Sequence, residues 1–183
     1  MKTKDIVYIS LFAALTAALG LFPPITIPIA AGVPITAQTL GVMLAGGILG
    51  SRRGALSMVL FLVLVAIGLP LLSGGRGGAG IFLGPSGGFL LGWVAGAFVV
   101  GWLTERFWGR LNAGFAFAAS VIGGIVVVYA FGIPWLAYAA ELGLVKAAIG
   151  SASFIPGDLI KAAAASVIMV TVKRTYPLVS APA

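Results

Sequence analysis

Asp158 and Lys161 stand three residues apart in Phe154-Ile-Pro-Gly-Asp-Leu-Ile-Lys161, the sharpest pairing of chemically able side chains in this 183-residue sequence. Pro156 pre-sets a first helical turn, and Asp158 falls within it, where the positive end of the helix dipole favours a carboxylate. Lys161 follows on the same face. After it comes Ala-Ala-Ala-Ala-Ser-Val-Ile-Met-Val, small and apolar throughout. A carboxylate and an ammonium at one end of such a helix can bind opposite groups of a polar ligand, or they can neutralise each other as an intrahelical ion pair. Ionisable groups inside a membrane span are costly, which makes the pair a functional candidate.

Two further groups offer polar contacts. Val33-Pro-Ile-Thr-Ala-Gln-Thr-Leu40 opens another helix, with Thr36 in the position of an N-cap and Gln38 or Thr39 able to satisfy nearby backbone donors. Gln38 also carries both a donor and an acceptor for a ligand. Arg76 is the single cation of the glycine-dense stretch Ser73–Gly88 and suits an anionic ligand end, or else a solvated loop. That stretch lacks the Gly-Lys-Ser/Thr ending and the preceding strand of a phosphate loop, so a nucleotide site is not expected. The four Trp residues read as interface anchors, with Trp135 also a candidate to line a pocket.

The rest of the inventory is short. With no Cys and no His, disulfides, Cys/His metal sites, thiol nucleophiles and imidazole acid–base chemistry are excluded, and no cofactor is expected. An intramembrane hydrolase would need a Ser–Lys dyad on a helix, and none presents itself. Only 8% of residues are charged against 61% hydrophobic, and the mean hydropathy is +1.17. Soluble domains carry roughly 25% charged residues, so a water-soluble globule is excluded. The net charge of +7 comes from basic residues in ones and twos between apolar runs, which is the pattern of membrane loops and not of a nucleic-acid face.

The elements that must position these groups are membrane helices, about 20 residues each for a bilayer core of roughly 30 Å. The apolar runs predict an all-α membrane protein, one integral domain over 1–183, with six transmembrane helices near 6–22, 37–50, 53–72, 88–104, 112–135 and 156–173. The first is read as a retained helix, not a signal peptide, because the remainder is equally apolar. Leu136–Ser153 has mixed character and predicts a short surface helix. Residues 23–34 hold four prolines and should be irregular.

Six passes put both termini on one side. With that side cytoplasmic, the inner segments hold Lys2, Lys4, Arg52, Arg53, Arg106, Arg110, Lys173 and Arg174, and the outer ones only Arg76 and Lys146. The proline-rich loop, the glycine-rich loop and the start of the last helix then all face outward. They are too apolar for ordinary solvated connectors, and irregular backbone at membrane depth is tolerated where it lines a cavity, so outward loops covering a pocket are expected. In the first helix Ala13, Ala14, Ala17 and Ala18 supply small-xxx-small spacing for close helix contact, within the chain or with a partner.

Several stretches in order now point to a family. Residues 33–40, Leu-Gly-Ser-Arg-Arg-Gly-Ala at 49–55, Gly-Leu-Pro at 68–70, Gly-Gly-Arg-Gly-Gly at 74–78, Gly-Pro-Ser-Gly-Gly-Phe at 84–89 and Ile-Pro-Gly-Asp-Leu-Ile-Lys at 155–161 resemble the BioY family, the biotin-specific S components of energy-coupling factor (ECF) transporters. The likeness runs through nearly the whole chain. It implies a six-helix S-component bundle in the cell membrane and high-affinity biotin uptake, without enzymatic activity of its own. It also implies a transmembrane coupling protein and two ABC-type ATPases as partners. Asp158 and Lys161 are then substrate-site residues; Gln38, Thr36, Arg76, Phe89 and Trp135 are the further candidates expected to line the site. Ser86 stands where Thr is expected and Phe89 where Tyr is usual, so a hydroxyl contact at 89 is in question. An S component for another vitamin and a self-sufficient secondary transporter are the competing readings.

Overall fold

The computed structural model describes residues 2–26, 33–176 and 178. It is all-helical apart from a two-residue ladder. In chain order the helices are α1 (Thr3–Leu19), α2 (Gln38–Leu49), α3 (Ser51–Ala66), α4 (Gly87–Arg106), α5 (Ala113–Val121), α6 (Val128–Ala139), α7 (Leu144–Ala152) and α8 (Ile155–Thr175). A π-helical turn at Ile122–Val127 joins α5 to α6, making one continuous helix over Ala113–Ala139. Strands β1 (Ile25–Thr26) and β2 (Pro34–Ile35) pair antiparallel, Ile25 opposite Ile35, and so tie together the two ends of the proline-rich segment. Half of the backbone expected to be irregular there, 27–32, lies outside the described residues.

α2 is the centre of the bundle. Every residue from Gly41 to Leu49 is buried, and the helix packs against α1, α3, α4 and α8. Its glycines make this possible: a Cβ on Gly47 would run into the Met169 side chain of α8, and one on Gly46 into the Ala97 carbonyl of α4. At only 12 residues, roughly 18 Å at the helical rise, α2 is too short to span alone. Among the described residues, three helices are long and apolar enough to cross a membrane: Gly87–Arg106, Ala113–Ala139 and Ile155–Thr175, with mean hydropathies of 1.6, 2.2 and 1.6. Leu, Ile, Val and Phe side chains stand exposed around the exterior, among them Val7, Leu11, Val63, Phe98, Val126, Phe131 and Val167, a surface suited to lipid.

Polar contacts gather the chain at two ends. At one, Glu105 of α4 accepts from the Ser51 amide at 2.9 Å and the Ser51 hydroxyl at 2.7 Å, capping α3 just past Gly50, whose φ of +87° makes the α2–α3 reversal. Arg53 beside it donates to the Leu49 and Leu178 carbonyls and pairs with Asp5 at 3.5 Å. Lys173 donates to the Trp108 and Leu111 carbonyls. At the other end lie the starts of α2, α4 and α8 and the segment 67–86.

Several expected boundaries shift. The third helix ends at Ala66 and not near 72, because Gly68 takes φ +108° and Pro70 follows. The first runs over 3–19 and not 6–22: Lys2 and Asp5 close its start through the Lys2 amide and the Asp5 carboxylate (2.8 Å), and Gly20 and Pro23-Pro24 stop it. The fifth reaches Ala139, four residues past 135, carrying Pro134 inside α6. The other three lie within two residues of expectation. The mixed segment 136–153 contains the short helix α7. The four alanines of α1 do not share one face. At roughly 100° per residue they divide, so Ala13 is buried at 2% exposure and Ala17 half-buried, while Ala14 and Ala18 are exposed. Packing against α2 and α3 takes the Ala13 side, which is therefore closed to a partner.

Candidate functional site

The site forms where the starts of α2 and α8 meet α4 and α6. Pro156 opens α8 in the first-turn position that its missing amide and fixed φ suit, and Asp158 lies in that turn. Lys161, one turn on, reaches the Asp158 carboxylate at 2.6 Å. Its ammonium also donates to the Thr36 carbonyl at 2.8 Å and the Thr39 hydroxyl at 2.7 Å, so all three of its protons are taken. Thr39 donates in turn to Asp158 Oδ1 at 3.2 Å, and the Tyr129 hydroxyl of α6 donates to Oδ2 at 2.6 Å. The Asp158 and Lys161 side chains are 4% and 14% exposed, so this is a desolvated ion pair held by a polar cluster.

An ionised carboxylate offers about four lone-pair positions. Lys161, Thr39 and Tyr129 occupy three. One acceptor position is left on Asp158 among the described residues, and a group seeking a donor from Lys161 must displace one of its present acceptors. The ion pair anticipated from the spacing is thus formed, and it faces a cavity lined by Thr36, Thr39, Asp158 and Lys161 together with Arg76, Phe89 and Tyr129.

The walls of that cavity are apolar and aromatic: Val33, Ile35, Leu72, Leu90, Trp93, Val128 and Phe154 complete most of it. Phe89, Tyr129 and Phe154 meet edge to face, with ring centroids 6.0, 6.2 and 6.5 Å apart. A Cβ on Gly132 would enter the Phe89 ring, so the glycine of α6 makes the seat for that phenylalanine. Arg76 enters from the loop, where Gly74, Gly75 and Gly78 adopt positive φ and the Leu72–Arg76 bridge closes a tight turn. Its Nε donates to the Ser73 carbonyl at 3.2 Å. Half-burial lowers the pKa of the guanidinium, yet arginine stays charged. Four of its five N–H donors have no protein acceptor among the described residues, so it is the cation best able to receive an anion.

Two of the expected contact residues do other work. Gln38 borders the cavity but is fully buried, and its side chain is spent on the scaffold. Its amide donates to the Thr16 and Leu71 carbonyls at 3.1 and 3.0 Å, and its oxygen accepts from the Ser73 amide and hydroxyl at 3.0 and 3.4 Å. It therefore clamps α1, the stretch that follows α3 and the Arg76 turn together. Trp135 lies outside the cavity lining; its Nε1 donates to the Gly84 carbonyl at 3.0 Å and anchors the loop before α4. Nor does Thr36 cap α2, whose first turn has no side-chain cap; its carbonyl serves Lys161 instead. Tyr129 and Phe154 were not singled out in the sequence, where an aromatic residue in an apolar run gives no signal.

Known proteins share the sequence and the fold. The family model described as BioY matches residues 1–178. The chain is 54% identical over 188 residues to the "Biotin transporter BioY" of Rhizobium etli, with all of both chains covered. It is 40% identical to the "Probable biotin transporter BioY" of Bacillus subtilis, covering 97% of this chain and 95% of that one. Among solved structures it resembles the S-component for biotin from an ECF-type ABC transporter, with a TM-score of 0.89, 34% identity and 97% of each chain covered. The chain belongs to the BioY family.

Proposed function

We propose that this chain is the biotin-capturing membrane subunit of an ECF-type uptake transporter, with the cavity between α2, α4, α6 and α8 as its binding site. The observation that carries the reading is a single cavity with two polar poles and aromatic walls: the Asp158–Lys161–Thr39–Tyr129 cluster and the partly unpartnered Arg76. Biotin has matching parts. Its ureido N–H groups need an acceptor and its ureido carbonyl needs donors, which Asp158 and the Lys161 ammonium supply. Its thiophane ring and valeryl chain suit Phe89, Phe154, Leu90 and Trp93. Its carboxylate suits Arg76. Membership of the BioY family supports biotin over another vitamin, and the chain needs no cofactor in this role. It acts by binding and release, not by catalysis.

The same reading makes the chain one integral membrane domain of six passes: α1, α2 with its flanking segments, α3, α4, the helix over Ala113–Ala139, and α8. The two-ended distribution of contacts supports this, since the Asp5–Arg53 and Lys173–Trp108 links and the Gln38 clamp join opposite ends of these helices. The positive-inside rule puts both termini in the cytoplasm and the cavity outside. Energy comes from two ABC-type ATPases acting through a transmembrane coupling protein, and it is the coupling protein that docks on the exposed Ala14–Ala18 side of α1.

Titration with biotin and with biotin amide tests the site. Arg76→Ala should weaken biotin by about one to two orders of magnitude and leave biotin amide, which lacks the anion, nearly unchanged. Equal losses for the two ligands would remove the carboxylate from Arg76.

A further inference from the structure

We infer that the π turn at 122–127 sets the register that brings Tyr129 to Asp158, and that Tyr129 is thereby a positioning residue for ligand binding. The ligand half of the inference rests on the biotin reading; the register half does not.

The continuous helix over Ala113–Ala139 buries a stripe at Ala116, Ser120, Gly124, Val128, Gly132 and Leu136, every fourth residue. A straight α-helix turns about 100° per residue, so each step of four overshoots a full turn by about 40°. Five such steps would carry the stripe roughly 200° around the helix, from the bundle interior to lipid. A turn closed by i→i+5 bonds holds one residue more than an α turn, and such single turns recur at functional sites. One surplus residue takes back about 100° of the drift, enough to keep both ends of the stripe facing inward.

The surplus is accommodated where the helix packs closely on α4 and α2. A Cβ on Gly123 would lie 2.7 Å from the Gly96 carbonyl of α4, and one on Gly124 would lie 2.6 Å from Met43 of α2. Immediately beyond the turn, Val128 and Tyr129 line the cavity, and the Tyr129 hydroxyl reaches Asp158 Oδ2 at 2.6 Å. A straight helix continued from α5 without dropping a residue would rotate Tyr129 about 100° away from α8. With Tyr129 in place, Oδ2 is held from the α6 side while Lys161 and Thr39 hold Oδ1, so the carboxylate is kept from turning at the cavity wall.

The test exploits the fact that removing one residue from a π turn restores an α-helix without rotating the residues beyond it. Val126 is 58% exposed and contributes nothing to the stripe. The chain with Val126 deleted should fold and bind biotin within a few-fold of the parent. It should also keep the non-additive melting-temperature response of Tyr129→Phe combined with Asp158→Asn, a readout that involves no ligand. Inserting one alanine between Val128 and Tyr129, beyond the π turn, should rotate Tyr129 about 100° away from α8 and abolish both. Tyr129→Phe in the parent should weaken biotin about three- to tenfold and lower the melting temperature measurably, a loss that should largely vanish in the Asp158→Asn background. Failure of the Val126 deletion to fold, loss of the Tyr129–Asp158 coupling in it, or retention of that coupling after the alanine insertion would overturn the register inference. Unchanged biotin affinity in Tyr129→Phe would overturn the positioning role. A parent chain that shows the coupling but binds no biotin would instead reject the biotin reading.

Discussion

Removing the Lys161 ammonium is the perturbation whose cost can be worked most fully from the structure. In Lys161→Ala, Asp158 would remain 4% exposed with hydrogen bonds from Thr39 and Tyr129 but no cation. Breaking a buried pair by removing one partner costs roughly 3–5 kcal/mol, because the other charge is left uncompensated. The helix dipole at the first turn of α8 acts on Asp158 in parent and variant alike, so it does not offset this loss. Asp158→Asn should cost less, about 1.5–3 kcal/mol, since the amide keeps the shape and Lys161 keeps Thr36 and Thr39 as acceptors. The double substitution removes both charges, so its cost should fall below the sum of the singles by roughly 0.5–3 kcal/mol. The assay is a four-member cycle in detergent, scored on unfolding and on biotin titration. All three variants should bind biotin about ten- to a hundredfold more weakly. Strictly additive stability losses would refute the coupled pair, and full-strength biotin binding in the double variant would remove the ligand from this cluster.

The same packing sets other outcomes. Gln38→Leu should lower stability by about 2–4 kcal/mol, because it strands the Thr16 and Leu71 carbonyls and the Ser73 amide; thermal unfolding checks this. Gly50→Ala should also destabilise, by about 1–3 kcal/mol, since φ is +87° and the new Cβ would strike the Glu105 carboxylate; Glu105→Gln should recover none of that strain. Ala14→Leu with Ala18→Leu should leave folding and biotin binding of the isolated subunit intact and impair assembly in pull-down with its partners, whereas Ala13→Leu should destabilise the subunit itself. A single cysteine at Thr3 should resist a membrane-impermeant thiol reagent in intact cells while one at Ala79 reacts; the reverse pattern would invert the topology.

How far the sequence disclosed this arrangement depends on whether a residue's signal is local. The start of α8 was legible because Pro156, Asp158 and Lys161 speak within one turn. The end of α3 was not: Ile67–Leu72 is as apolar as the helix before it, and only the positive φ of Gly68 and the subsequent Pro70 turn it aside. Arg76 stood out as a lone cation among glycines, and it does face the cavity. Gln38 was legible as important but not as a clamp, because its partners Thr16, Leu71 and Ser73 are brought to it by folding. Trp135 sits at the expected end, yet its indole N–H is satisfied by a loop carbonyl that sequence spacing could not name. Tyr129 was missed for a physical reason: a period of four in a helix reads as drift toward lipid until the π turn that corrects it is seen.

The most direct test of biotin capture at the Asp158 cluster is calorimetric titration of the detergent-solubilised chain with biotin, alongside a panel of other vitamins, for the parent and for Asp158→Asn. Saturable one-to-one binding of biotin alone is predicted, weakened by about ten- to a hundredfold in the variant. Binding of a different vitamin in place of biotin, or biotin binding that Asp158→Asn leaves untouched, would contradict it.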